Sequence, residues 1–108
     1  MVSDERLIAV GISHHTANVE DRERFSVPSD RVPALLGRLR EDGFSNEAIL
    51  LSTCNRTELY TVPGHRGDMD RLARFLAESG GVTDKSIADK IYRKRDQEAL
   101  RHIFRVVS

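Results

Sequence analysis

One cysteine, no long apolar run and no surplus of either charge set the outer limits on what this chain can be. A lone thiol, Cys54, cannot close an internal disulfide, and a working thiol needs a reducing compartment, which points to the cytoplasm. No apolar stretch approaches the roughly 20 residues that a membrane helix needs. The N-terminus resembles no signal peptide, so no membrane partner is expected. Seventeen basic and seventeen acidic residues cancel to a formal net charge of zero, which excludes a global electrostatic pull on nucleic acid. The basic clusters at Arg38 to Arg40, Arg71 to Arg74 and Arg93-Lys94-Arg95 read as solvated faces. A glycine-rich nucleotide loop is missing as well. Gly80-Gly81 has neither GxGxxG spacing nor a strand before it, so no nicotinamide fingerprint lies in this chain.

What is present suits one soluble globular domain with a single core: 108 residues, 39% hydrophobic and 31% charged. Leu7 to Ser13 carries Ile8, Val10 and Ile12 on one side and reads as a first strand, ending at Ser13-His14-His15-Thr16. Adjacent histidines at a strand end are expected on opposite faces, which makes them poor partners for one metal ion, and no zinc site is expected. A charged stretch, Glu20 to Arg24, leads into Phe25-Ser26-Val27-Pro28. Val32, Leu35, Leu36 and Leu39 then fall at helical spacing, with Asp30 as the expected N-cap, Pro33 in the first turn and Gly43 as the stop. Asn46 to Leu51 is short and evenly apolar and reads as a buried strand. After a turn, Arg56, Glu58, Tyr60 and Val62 share one face of the next strand, and Thr57, Leu59 and Thr61 the other. Asp68 caps a helix with the stripe Met69, Leu72, Phe75 and Leu76, closed by Gly80-Gly81. Ala88 to Arg93 reads as a fourth strand. Asp96-Gln97-Glu98 opens a last helix with the stripe Leu100, Ile103, Phe104 and Val107, and His102 falls off that stripe between Ala99 and Val106.

Strand, helix, strand, strand, helix, strand is the order of the split βαβ arrangement. The expected fold is therefore α+β and ferredoxin-like: an antiparallel sheet with helices on one face, plus a C-terminal helix. Its two crossovers bring the middle and the end of the chain together, so a contact between Cys54 and His102 is expected.

The chemistry-bearing stretch is Ser52-Thr53-Cys54-Asn55-Arg56-Thr57-Glu58-Leu59-Tyr60. It places the thiol at a turn between two strands, with the permanent cation Arg56 two positions on, a setting that favours the thiolate. The plainer alternatives are an inert small hydrophobe for Cys54 and a surface ion pair with Glu58 for Arg56. Together with Val10-Gly11-Ile12-Ser13-His14-His15-Thr16-Ala17-Asn18-Val19-Glu20 and His102-Ile103-Phe104-Arg105-Val106-Val107-Ser108, this stretch resembles the N-terminal catalytic domain of glutamyl-tRNA reductases. The three segments stand in the family's order and cover essentially the whole chain. Asn18 departs from the proline usual in the family, a change expected to loosen the turn after the first strand.

The resemblance implies an NADPH-dependent enzyme that converts glutamyl-tRNA to glutamate-1-semialdehyde through a cysteine thioester, the first step of tetrapyrrole and heme synthesis from glutamate. It implies Cys54 as nucleophile and Thr53, Cys54, Asn55 and Arg56 as the substrate-binding turn. Arg56 is the candidate reader of the glutamyl carboxylate. It also implies a role for His102 in positioning the substrate, protonating the leaving oxygen or polarising the thioester. Residues 1–108 would be this domain alone, ending before the domains that bind NADPH and form the homodimer, so the fragment is not expected to reduce anything by itself. Glutamyl-tRNA is the implied partner, its affinity supplied by local contacts or by regions outside the chain, and a glutamate-1-semialdehyde aminomutase is a further implied one. Two other classes share the same features. A cysteine hydrolase or acyltransferase would use Cys54 and His102 without a hydride donor. A ferredoxin-like RNA-binding module would use Tyr60 and Tyr92 as stacking platforms.

Overall fold

Ile8–Ser13 forms strand β1, and every residue of it is buried in the computed structural model, which describes residues 7–82 and 85–107. A strand buried on both sides must be central and covered above and below. The sheet order β2-β3-β1-β4 provides this, with β2 at Ser45–Ser52, β3 at Arg56–Pro63 and β4 at Tyr92–Arg95. All three pairings are antiparallel. The helices are α1 (Val19–Phe25), α2 (Val32–Glu41), α3 (Met69–Ser79), the single turn α4 (Lys85–Ala88) and α5 (Asp96–Val107). This is the ferredoxin-like α+β arrangement expected from the order of elements.

Register and alternation divide the sheet into two faces. On one, Ile8, Val10, Ile12 and Leu59 pack with Phe25 of α1, Leu35 and Leu39 of α2, and Leu72, Phe75 and Leu76 of α3. On the other lie Ala9, Gly11 and Ser13 of β1, Arg56, Glu58 and Tyr60 of β3, and Tyr92 of β4. Helix α5 turns back from β4 across this second face. Its Ala99 is fully buried, and the small side chain lets the helix approach the sheet closely.

Helix α3 follows its sequence signals closely. Asp68 Oδ1 accepts from the Arg71 amide at 2.8 Å, and Gly80 caps the other end before Gly81 enters the left-handed region at φ 66°. Helix α2 ends as expected at Gly43, φ 75°. Its start differs: Asp30 lies within a 3-10 turn, Ser29–Arg31, and makes no N-cap, because that turn carries the chain into α2 through Arg31 with Pro33 in the first turn.

Four further expectations change. The stretch Glu20 to Arg24 is helical, and Asn18, expected to loosen its turn, is the N-cap, accepting from the Asp21 amide at 2.9 Å. Strand β2 is an edge strand and only partly covered, with Ile49 68% exposed, because the apolar run has a neighbour on one side alone. The fourth strand begins at Tyr92 and not at Ala88: Ile87 belongs to α4, and Ile91 is buried on the approach to the strand. The stripe of α5 faces outward, Leu100 and Phe104 being exposed, and the face carrying Ala99 meets the sheet. The Val107 side chain and Ser108 lie outside the described residues.

The joint between β4 and α5 has no loop. Asp96 follows Arg95 directly and adopts φ 51°, a left-handed conformation that Asp tolerates better than most residues. Its amide donates to Leu7 O at 2.8 Å, and its Oδ1 accepts from the Leu7 amide at 3.3 Å.

Candidate active site

Strands β2 and β3 form a tight hairpin whose tip is Thr53, Cys54 and Asn55, all exposed. Its backbone is tied down from several sides. Thr53 N donates to Arg56 O at 2.8 Å, and Asn55 N to Thr53 Oγ1 at 3.2 Å. His14 N donates to Asn55 O at 2.9 Å, which prolongs the β1–β3 ladder past the end of β1. Arg22 of α1 clamps the tip, its Nε donating to Cys54 O at 3.3 Å and its Nη1 to Ala17 O at 2.8 Å. The thiol is thus presented at the surface on a backbone with little freedom. Arg22 has no counterpart among the sequence-predicted site residues. The signal that would have found it is the helical cap at Asn18, which places Arg22 one turn into α1.

Arg56 and Glu58 do pair, Nη1 to Oε1 at 3.0 Å, but not as a surface ion pair, since the Glu58 side chain is completely buried. Spacing of two along a strand puts both on the α5 face of the sheet. Glu58 Oε1 also accepts from Tyr60 Oη at 2.9 Å, while Oε2 accepts from Tyr92 Oη and from His102 Nε2. Four donors therefore surround one carboxylate that would otherwise be very costly to bury. Burial alone would raise its pKa, yet hydrogen bonds from Tyr92, His102, Arg56 and Tyr60 outweigh that and hold it below the usual glutamate value. Burial, and then the neighbouring carboxylate, push Tyr92 and Tyr60 above the ordinary phenol range. Both tyrosines are committed to Glu58, and the Tyr92 ring lies 5.1 Å from that of His102, so neither stands free on the sheet as a stacking platform.

Gly11 makes the cluster possible. It pairs with Glu58 on one side and Tyr92 on the other, and its missing side chain leaves the space through which these two meet.

Of the sequence-predicted residues, the fold brings Arg56 and His102 together. Both bind Glu58, and both line a cavity of about 250 Å³ with Ser13, His15, Arg105 and Val106. Cys54 stands on the hairpin two residues before Arg56 but outside that lining, and no hydrogen bond joins it to His102 among the described residues. The cavity is dominated by cationic and hydrogen-bonding side chains, which suits a carboxylate. His14 and His15 do not diverge as expected. Both lie beyond the end of β1, where strand alternation no longer applies, and their rings approach to 3.9 Å. Among the described residues, no three His, Cys, Asp or Glu side chains gather in a way that would hold a metal ion, and no helix is long and apolar enough to cross a membrane.

These features define a ferredoxin-like α+β domain that displays a cysteine on a braced hairpin beside a cationic cavity. The chain belongs to the family described as glutamyl-tRNAGlu reductase, N-terminal domain, whose model matches residues 10–108. It is 48% identical to the glutamyl-tRNA reductase of Rubrobacter xylanophilus over 93% of its own length and 24% of the relative's. It is 42% identical to that of Polaromonas naphthalenivorans over 93% of its own length and 23% of the relative's. The solved structure of the glutamyl-tRNA reductase from Methanopyrus kandleri superimposes with a TM-score of 0.70 at 32% identity, covering 94% of this chain and 22% of the other. The chain thus spans about a quarter of the length of these relatives.

Proposed function

We propose that this domain performs the acyl-transfer half of an NADPH-dependent glutamyl-tRNA reductase, with Cys54 as nucleophile. The observation that carries the reading is the exposed Cys54 on its braced hairpin, two residues before Arg56, which lines a cavity together with His102. The Cys54 thiolate attacks the α-carbonyl carbon of the glutamyl ester. The ester C–O bond breaks, the tRNA 3′-terminal ribose oxygen leaves and takes up a proton, and a glutamyl thioester remains on Sγ. Arg56 directs one edge of its guanidinium to Glu58 and keeps its remaining donors for the glutamyl side-chain carboxylate. Thr53 and Asn55 flank the reacting carbonyl at the hairpin tip, where they supply hydrogen bonds to the substrate and the developing oxyanion. His102 lies beside Arg56 as the group that positions or protonates the reacting atoms.

NADPH is the hydride source that such a reductase requires to convert the thioester to glutamate-1-semialdehyde. Gly80 and Gly81 terminate α3, a helix C-terminus where carbonyls and not amides point outward, and their own amides are spent on the carbonyls of the last turn, so they form no phosphate cradle for it. The cofactor is accordingly assigned to the remainder of a full-length reductase, as are the homodimer contacts and any docking of the aminomutase that consumes the aldehyde. In this reading the enzyme acts in the cytoplasm and opens tetrapyrrole synthesis from glutamate.

The test is intact-protein mass spectrometry of a full-length reductase carrying this domain, mixed with glutamyl-tRNA and no reductant. One glutamyl adduct on the Cys54 peptide is expected, absent in Cys54→Ser. An unmodified Cys54 would overturn the reading.

A further inference from the structure

The buried Glu58 cluster does more than the acyl-transfer scheme asks of it. His102 has two ring nitrogens, and one of them, Nε2, faces Glu58 Oε2. The carboxylate can only accept, so Nε2 must carry the hydrogen. No hydrogen bond engages Nδ1 among the described residues. Thr61 Oγ1 is the only fully buried side-chain nitrogen or oxygen there without a partner, so Nδ1 is not sealed away. The ring borders the cavity that also contains Arg56, His15 and Ser13. Tyr92 shares Oε2 with His102 and packs beside its ring at a 59° tilt, which restrains the imidazole from rotating.

A neutral imidazole exists as two tautomers, and a histidine that must accept or hand over a proton at one fixed atom works in only one of them. We infer that Glu58 is a positioning residue that locks His102 with its hydrogen on Nε2, so that Nδ1 is the nitrogen presented to the substrate. The inference rests on the proposal that His102 acts in acyl transfer. Replacing a carboxylate that orients a catalytic histidine by its amide can lower the rate by up to about 10⁴-fold through the wrong tautomer. Glu58→Gln should act in the same way, because Arg56 accepts no hydrogen bond. Its guanidinium holds the amide oxygen on the Oε1 side, and the amide nitrogen is left facing Nε2, where it selects the opposite tautomer.

Two measurements decide it. In ¹⁵N-histidine-labelled chain above the usual histidine titration range, long-range NMR correlations for His102, assigned by comparison with His102→Gln, should show the hydrogen on Nε2. A hydrogen on Nδ1 overturns the inference, and the tautomer is read in the unaltered chain, the variant serving only for assignment. In a full-length reductase, Glu58→Gln should slow single-turnover thioester formation at saturating glutamyl-tRNA by about 100-fold or more, and its His102 signal should move to the Nδ1–H form. Thioester formation at the wild-type rate in Glu58→Gln overturns the positioning role while leaving the acyl-transfer reading intact. A wild-type enzyme that forms no thioester overturns both.

Discussion

Gly11 on β1 lies directly opposite Glu58 on β3, and the carboxylate crosses the sheet surface through the space that the glycine leaves open. A Cβ at this position would stand 2.8 Å from both Glu58 Cγ and the Thr57 carbonyl oxygen, and 2.9 Å from Tyr92 Oη. The Thr57 oxygen belongs to a central strand and cannot swing aside. Gly11→Ala is therefore expected to destabilise the fold by about 1–3 kcal/mol through overpacking, read from the urea midpoint. Unchanged stability would mean that the sheet yields more easily than this geometry allows.

The chain's two tyrosines both donate to Glu58, so phenolate absorbance reports on this cluster alone. Their folded pKa values are raised, which means that the unfolded chain loses those protons first as pH rises. The stability they contribute is complete below the ordinary phenol value of 10.0 and is lost progressively above it. Glu58 has the opposite sign. Its folded pKa is depressed, so its contribution is complete above the ordinary glutamate value of 4.5 and is lost as pH falls through the lower folded value. An alkaline titration followed at 295 nm should show both phenols ionising only together with the loss of circular dichroism. Smooth ionisation near the free phenol value in the folded protein would contradict the arrangement.

Arg22 braces the hairpin from outside the sheet by holding the Cys54 carbonyl. Arg22→Met keeps the apolar stem and removes both donors. It should leave the melting temperature nearly unchanged while slowing thioester formation by about tenfold, because small misplacements of a reacting atom are costly. Equal rates in the two proteins would show that the remaining ties of the tip suffice.

Thr61 Oγ1 is buried and has no partner among the described residues, on the face that packs against the main core. Thr61→Val removes that unmatched hydroxyl at nearly constant shape, and is expected to be neutral or to raise stability by up to about 1 kcal/mol. A clear loss in a denaturant titration would reveal a partner for the hydroxyl.

How much of this was legible in the sequence depends on which elements announce themselves through apolar spacing. Helix α3 did so twice over, by its stripe and by Asp68 with Gly80-Gly81, and the hairpin was marked by polar residues between two apolar strands. Helix α1 has only Val19 and Phe25 as large apolar residues, so periodicity had little to register, although Asn18 followed by Glu20 and Asp21 is a helix start. Strand β4 is Tyr-Arg-Lys-Arg, and the apolar residues Ala88 and Ile91 before it drew the expected strand toward the N-terminus. For α5 the period was right and the buried side was not. Apolar residues normally turn inward, but here the sheet face contains a carboxylate, and His102 is what meets it. Alternation did place Arg56, Glu58 and Tyr60 on one face. Nothing in it says that Gly11 stands opposite, since strand pairing is a property of the folded chain.

The loopless joint at Asp96 has a consequence for how the domain moves. With a left-handed residue welded to Leu7 from both sides, the last helix has no slack with which to slide or swing. The imidazole six residues further on therefore travels with the strands as part of one rigid block. Any closing motion around a bound ligand has to come from outside this block and its braced hairpin.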